Sequence, residues 1–264
     1  FNTAVGHAAG TAVTTGAANT LIGGRAGVAL TVGNSNVVIG TSALAADTKG
    51  DRAIAIGAGA LENQNFTTST DNYNIAIGRD AGNDTTTGLY NTLIGGLSGE
   101  KLQDTERNVA VGTFTLDADV LGHRSTAIGY AALTSQNFTT ATDSHNTAIG
   151  NEAGLNLSTG QFNVFVGSVC AGNGVVTGTH NVGVGVESLY ALTSGTSNVA
   201  VGYQAGAALT AGDYNVAIGR EALETEDDHN GNVAIGYRSL RLLNAAQNAD
   251  NTAVGYQAME SMTL

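Results

Sequence analysis

The 264-residue chain has no proline, no tryptophan and a single cysteine, and aromatic residues make up only 5% of it. With proline missing beside 37 glycines, it is neither collagen, whose triplet needs both residues, nor a disordered Pro/Gly-rich tract. Glycine here is positional. Cys170 alone can build neither a disulfide framework nor a cysteine-rich zinc site. Ten lysines plus arginines against 22 acidic residues leave a net charge of −12, with no basic patch for a phosphate backbone, so no nucleic-acid partner is expected. No run of 18 apolar residues exists, so no helical membrane insertion is expected either. The 42% hydrophobic share comes mostly from Ala, Val, Ile and Leu, which can close a core but only a thin one.

What the chain does have is a repeat. The stretch "NVAIGREAL" begins at Asn215 and "NVAIGYRSL" at Asn232, and the same pattern starts at 2, 19, 36, 53, 74, 91, 108, 125, 146, 163, 181, 198, 215, 232 and 251. The unit is 17 residues, with local insertions where the step is longer. The first position is Asn except at Ala53 and Ser125; the second is always Thr, Val or Ile; the fourth always Val or Ile; the fifth always Gly. A slower rhythm overlies this one. Position nine runs Gly10, Gly27, Leu44, Leu61, Gly82, Gly99, Leu116, Leu133, and two near-identical insertions, "QNFTTSTDNYN" and "QNFTTATDSHN", lie 72 residues apart.

Two β-branched residues flanking a small one suit a strand, and an apolar strand on both faces suits a buried parallel sheet. The invariant glycine after it marks a bend where a side chain would clash or where φ must be positive. One strand signal every 17 residues excludes hairpins and predicts an all-β parallel β-solenoid of about fifteen coils, continuous over 1–264, its strands stacked about 4.8 Å apart. Asn19, Asn91, Asn146 and Asn215 then belong to an in-register amide ladder, and Gly23, Gly95, Gly150 and Gly219 to a ladder of bends. The insertions, near 62–73 and 134–145, should bulge outward between strands. A 17-residue coil has a single interior, so the second apolar strand face needs a partner. Another copy of the chain is the simplest, and parallel register favours three copies around an axis. The chain opens directly on its first repeat and reads as a segment of a longer fibre.

The repeats "NTAVGYQAM", "NTAIGNEAG" and "NVAIGREAL" resemble those of bacteriophage tail-fibre proteins and are similar to the head repeats of trimeric autotransporter adhesins. The resemblance covers the whole chain. It implies a homotrimeric left-handed β-roll, extracellular on a virion or a cell surface, that serves as a shaft or attachment segment. The alternative it leaves is an autotransporter-type adhesin head, whose coils are shorter and which brings a stalk and anchor that this sequence does not display.

No catalytic, cofactor or metal site is expected. "IGGRAG" and "GVGVES" look like pieces of phosphate loops, but the repeat accounts for their glycines. The five histidines lack metal-ligand spacing, and Glu226, Asp227 and Asp228 read as a solvated charged turn. A hexapeptide-type acyltransferase needs three hexads per coil where only one is present, and an ice-binding solenoid needs a regular exposed Thr ladder. Cys170 takes the small-residue slot of its coil as an inert packing group. The candidate surface-binding residues are aromatic: Phe66 and Phe138, expected exposed in the insertions unless they fold over the coil edge or onto a neighbouring chain, and Tyr203, Tyr237 and Tyr256, each following a repeat glycine. Tyr73, Tyr90, Phe162 and Tyr214 precede a repeat Asn. A cell-surface glycan or protein is the ligand such rings would suit, and capping the core or joining chains is the role they would otherwise have.

Overall fold

The computed structural model describes residues 1–244 and 250–263. Among these residues there is no helix, and the chain is an all-β parallel β-solenoid of about fourteen turns of ~17 residues. It divides into two compact units, Phe1–Ile128 with Asn137–Asp143, and Gly129–Gln136 with Ser144–Leu264. In the first unit the strands from Thr3–Val5 to Thr126–Ile128 pair in parallel, so that Thr3 stands beside Thr20, Ala4 beside Leu21 and Val5 beside Ile22. In the second unit, Thr147–Ile149 through Thr252–Val254 do the same.

The pleat sorts each strand. The middle residue points inward and is buried in every coil from Leu21 onward, while its two β-branched neighbours remain partly or fully exposed. The repeat glycine does two jobs at once. Gly23, Gly95, Gly150 and Gly219 have φ of 132°, 136°, 141° and 131°, and a Cβ on Gly23 would lie 2.6 Å from the carbonyl oxygen of Gly40.

The four-coil rhythm follows from sharing one thin core. Where position nine is glycine, a large side chain from the strand of the same or the adjacent coil fills its space: a Cβ on Gly10 would meet Leu21 Cδ1 at 2.5 Å, and one on Gly27 would meet Leu21 Cδ2 at 3.0 Å. Leu93 occupies the space beside Gly82 and Gly99 in the same way. Where position nine is Leu44, Leu61, Leu116 or Leu133, that leucine is itself fully buried and the strand supplies Ala or Val. One large side chain per leucine coil, or one shared by two glycine coils, fills the core.

The asparagine ladder is asymmetric. Each Oδ1 accepts the backbone N–H of the next repeat Asn, as in Asn19 to Asn2, Asn91 to Asn74 and Asn215 to Asn198, all 2.9 Å, and in many coils the next side-chain amide as well, as in Asn36 to Asn19 at 3.1 Å and Asn198 to Asn181 at 3.0 Å. Each Nδ2 crosses its coil to a turn carbonyl: Asn91 reaches Thr105 O and Asn146 reaches Gly160 O, both at 2.8 Å. These bonds satisfy backbone groups that a turn would otherwise leave buried and unpaired.

The two insertions lie in the two coils that lack the Asn. Ala53 has no Oδ1 to offer Asn74, and residues of the insertion replace it: Asn72 Oδ1 accepts Asn74 N–H at 2.9 Å, and Gln64 Oε1 accepts Asn74 Nδ2 at 2.8 Å. In the second unit Gln136 accepts Asn146 Nδ2 at 2.9 Å. The insertions therefore splice the ladder.

Each coil also turns through left-handed residues that carry side chains. The residue before the repeat Asn and the residue two after the repeat Gly have positive φ along the chain, Arg52 at 63°, Tyr90 at 61°, Arg25 at 61° and Gln204 at 53° among them. Proline, fixed near −65° and without an N–H, fits neither these positions nor a ladder in which the backbone N–H groups bond between coils.

Candidate functional site

The insertion aromatics are not surface residues. Phe66 and Phe138 are each only 5% exposed, so of the two expectations the ring folded over the coil edge holds and the ring offered to a ligand does not. Thr67, Thr68 and Ser69 at the tip are exposed, but Thr70–Asp71 returns to pair with Gly50–Asp51. The cause is a buried carboxylate. Asp47 Oδ1 accepts the backbone N–H groups of Gly50 at 2.9 Å, Lys49 at 3.2 Å and Phe66 at 3.2 Å, and Oδ2 accepts Gln64 Nε2 at 2.7 Å. Burial pushes the Asp47 carboxyl above its ordinary range, while these hydrogen bonds oppose the rise. Asp119 holds Phe138 N–H in the same way, at 3.0 Å.

The tyrosines are brought together. Tyr203, Tyr237 and Tyr256 occupy one column on successive coils, interleaved with Arg220: its guanidinium lies 5.4 Å from the Tyr203 ring centre, Arg238 lies 4.9 Å from Tyr237, and the Tyr237 and Tyr256 rings stack at 5.1 Å. Stacking directs ring faces at one another along the column, so the outer surface is a row of edges rather than a flat platform for a sugar. Beside it runs a charged row. Glu221 accepts from Arg238 Nε at 2.6 Å and Arg220 Nε at 2.9 Å, and Arg238 holds the Glu221 carboxyl below its usual range.

A second column, formed by residues that precede the repeat Asn, was visible in the sequence only as scattered aromatics. In the first unit Arg52 lies 5.5 Å from the Tyr73 ring centre, Tyr73 stacks on Tyr90 at 6.0 Å, and Arg107 lies 5.6 Å from Tyr90. In the second unit His145, Phe162 and His180 stack at 5.3 and 4.9 Å. Arginine belongs to the column as much as tyrosine because its guanidinium is planar and stacks over a ring. A hollow of about 240 Å³ beside Arg107, lined also by Glu106, His123, Arg124 and Asp143, offers no unmatched guanidinium: Arg107 is paired with Glu106 at 2.7 Å and Arg124 with Asp143.

The acidic turn is also not as expected. Glu226 is 1% exposed rather than solvated, and its Oε1 accepts from Asp227 N–H at 3.1 Å, His229 N–H at 2.9 Å and His229 Nδ1 at 2.6 Å. That hydrogen bond raises the His229 imidazole above its ordinary value. Asp227 and Asp228 are exposed. The cluster holds its own turn. Cys170 is fully buried as expected, and burial pushes its thiol up to about 12.

Comparison with protein-family models, with curated proteins and with solved structures returned no match.

Proposed function

We propose that this chain is a structural segment of an extracellular fibre, a virion tail fibre or a related surface fibre, that works as a parallel homotrimer and supports attachment to a surface. The observation that carries the reading is the outer strand face. Every coil directs two β-branched side chains away from its own core, and Ile22, Ile128, Ile149 and Ile218 are between 36% and 38% exposed in the isolated chain. A periodic apolar face of this extent on one side of a thin solenoid is the mark of an interface. Copies related by rotation about an axis parallel to the stack cover one another's faces coil by coil, and three copies is the number that the likeness of the repeats to those of tail fibres implies. Against an enzyme stands the chemistry of the polar groups, which are engaged in ladders, splices and turns. With Phe66 and Phe138 sealed, receptor binding falls to the exposed insertion tips or to another part of the fibre. Multi-angle light scattering on the purified chain tests the assembly: a trimer supports the reading, and a folded monomer at micromolar concentration refutes it.

A further inference from the structure

Resting on the homo-oligomer reading, we propose that the two outer columns are the contact seam between copies, the residue before the repeat Asn on one chain meeting the residue after the repeat Gly on its neighbour, coil by coil.

The pleat places four outward positions on each coil, in the order pre-Asn residue, two β-branched strand residues, post-Gly residue. The two columns are therefore the opposite margins of the apolar face and lie apart within one chain. A rotation about an axis parallel to the stack keeps every coil at its own height, so it brings one margin of a copy against the other margin of the next, row against row.

From the fourth coil on, the margins complement each other in most rows. From the fourth coil to the fourteenth, each coil carries at least one large planar residue, Arg, Tyr, His or Phe, at one margin or the other. Through most of the chain the large residue is pre-Asn and its row-mate is small, as with Tyr90 and Gly96 or Phe162 and Ser168. In two later coils the sizes invert, with Ser197 facing Tyr203 and Gly231 facing Tyr237. In the three rows of this span where both are large, the pair is one Tyr with one Arg: Tyr73 with Arg79, Arg124 with Tyr130, Tyr214 with Arg220. Eight of these eleven rows set one large residue against a smaller one, an arrangement across the width of a face that stacking along each column does not account for and that a seam between copies uses.

Glycine gives an independent sign. Most glycines here have a neighbour in the same chain where a Cβ would go, but a Cβ on Gly24 or Gly96 would meet nothing within 4 Å, and neither has a positive φ. The isolated chain gives no reason for glycine at these two post-Gly positions. At Gly96 a neighbouring copy supplies one, because its row-mate is the large Tyr90. The margins have the composition of an interface rim, with Tyr and Arg around a β-branched centre.

The test is a pair of cysteines in the full chain. Arg107→Cys with Thr113→Cys occupies both margins of one row, and Tyr90→Cys with Thr113→Cys is offset by one coil. The buried Cys170 does not compete. Under mild oxidation the matched pair is expected to yield a covalent closed oligomer, reversible by reductant, several-fold above the offset pair. Gly96→Tyr should weaken the oligomer in light scattering, and adding Tyr90→Gly should restore it. Equal yields from the two cysteine pairs, or an oligomer in which only intrachain disulfides form, overturn the seam while leaving the homo-oligomer intact. A folded monomer of the unmodified chain overturns both.

Discussion

Phe66 and Tyr203 are both aromatic, both outside the repeated strand and both candidates for touching a ligand, yet one is 5% exposed and the other 43%. The difference lies in where the coil puts them. Phe66 follows Gln64 across the edge of a coil, where Asp47 fixes its backbone N–H and the ring closes over the thin core. Tyr203 follows a repeat glycine on the outward side of the pleat, where its neighbours along the column are other exposed planar groups. In a solenoid, place in the coil decides burial before residue chemistry does.

The sharpest way to break this contrast is from the inside. Gly129 has φ 125°, and the carbonyl of Gly150 occupies the place of any Cβ, so Gly129→Val should abolish the folded state or lower the melting temperature more than any side-chain truncation. Circular dichroism melts rank the two. Next come the insertion rings. Phe66→Ala and Phe138→Ala should each cost about 3–5 kcal/mol in denaturant unfolding, because each vacates a sealed site. A loss below ~1 kcal/mol in both would return these rings to the surface class.

A smaller effect is expected from the ladder. Asn163 accepts from Asn181 N–H at 2.9 Å and donates to Gly178 O at 2.9 Å, so Asn163→Ala should cost about 2–3 kcal/mol, having no insertion to splice the gap. The pH response is smaller again. The folded imidazole of His229 is raised by Glu226, so its contribution is fully present below the ordinary value of 6.5 and is lost as pH rises through the raised value. His229→Gln should flatten the melting temperature across that window, and an unchanged pH profile would remove His229 from the account. At the outer end, Tyr256 is 74% exposed, and Tyr256→Ala should shift stability by no more than ~0.5 kcal/mol in the isolated fold. Any larger loss should grow on dilution, as a contact between copies would.

The period, the strand, the bend and the Asn position were all legible because each recurs at a fixed place, and recurrence at 17 residues has few physical solutions. The rhythm of position nine was legible as a pattern but not as a cause, since Leu21 fills the space beside Gly10 and Gly27 only once the coils are stacked. The exceptions at Ala53 and Ser125 carried no explanation in the sequence; they are the sites where an insertion hands in its own amides. Left-handed Arg52, Tyr90 and Gln204 could not be read at all, because none is Gly or Asn and nothing local announces the conformation. Glu226 was misplaced, and Phe66 left open between surface and coil edge, for one reason. Both stand in polar stretches, and polarity of the stretch says nothing about a group that its own turn folds inward.

The ladders have a mechanical side. Within each unit the strand hydrogen bonds and the Asn Oδ1 bonds run from one coil to the next, so a pull directed along the stack loads them in tension, and the end coil carries the force before its neighbour does. The 17-residue loop it releases extends by roughly 60 Å at full stretch. A sawtooth of near-equal steps is then the natural force response, with a longer step at each insertion, and the molecule yields by unwinding one coil at a time while the remainder keeps its shape.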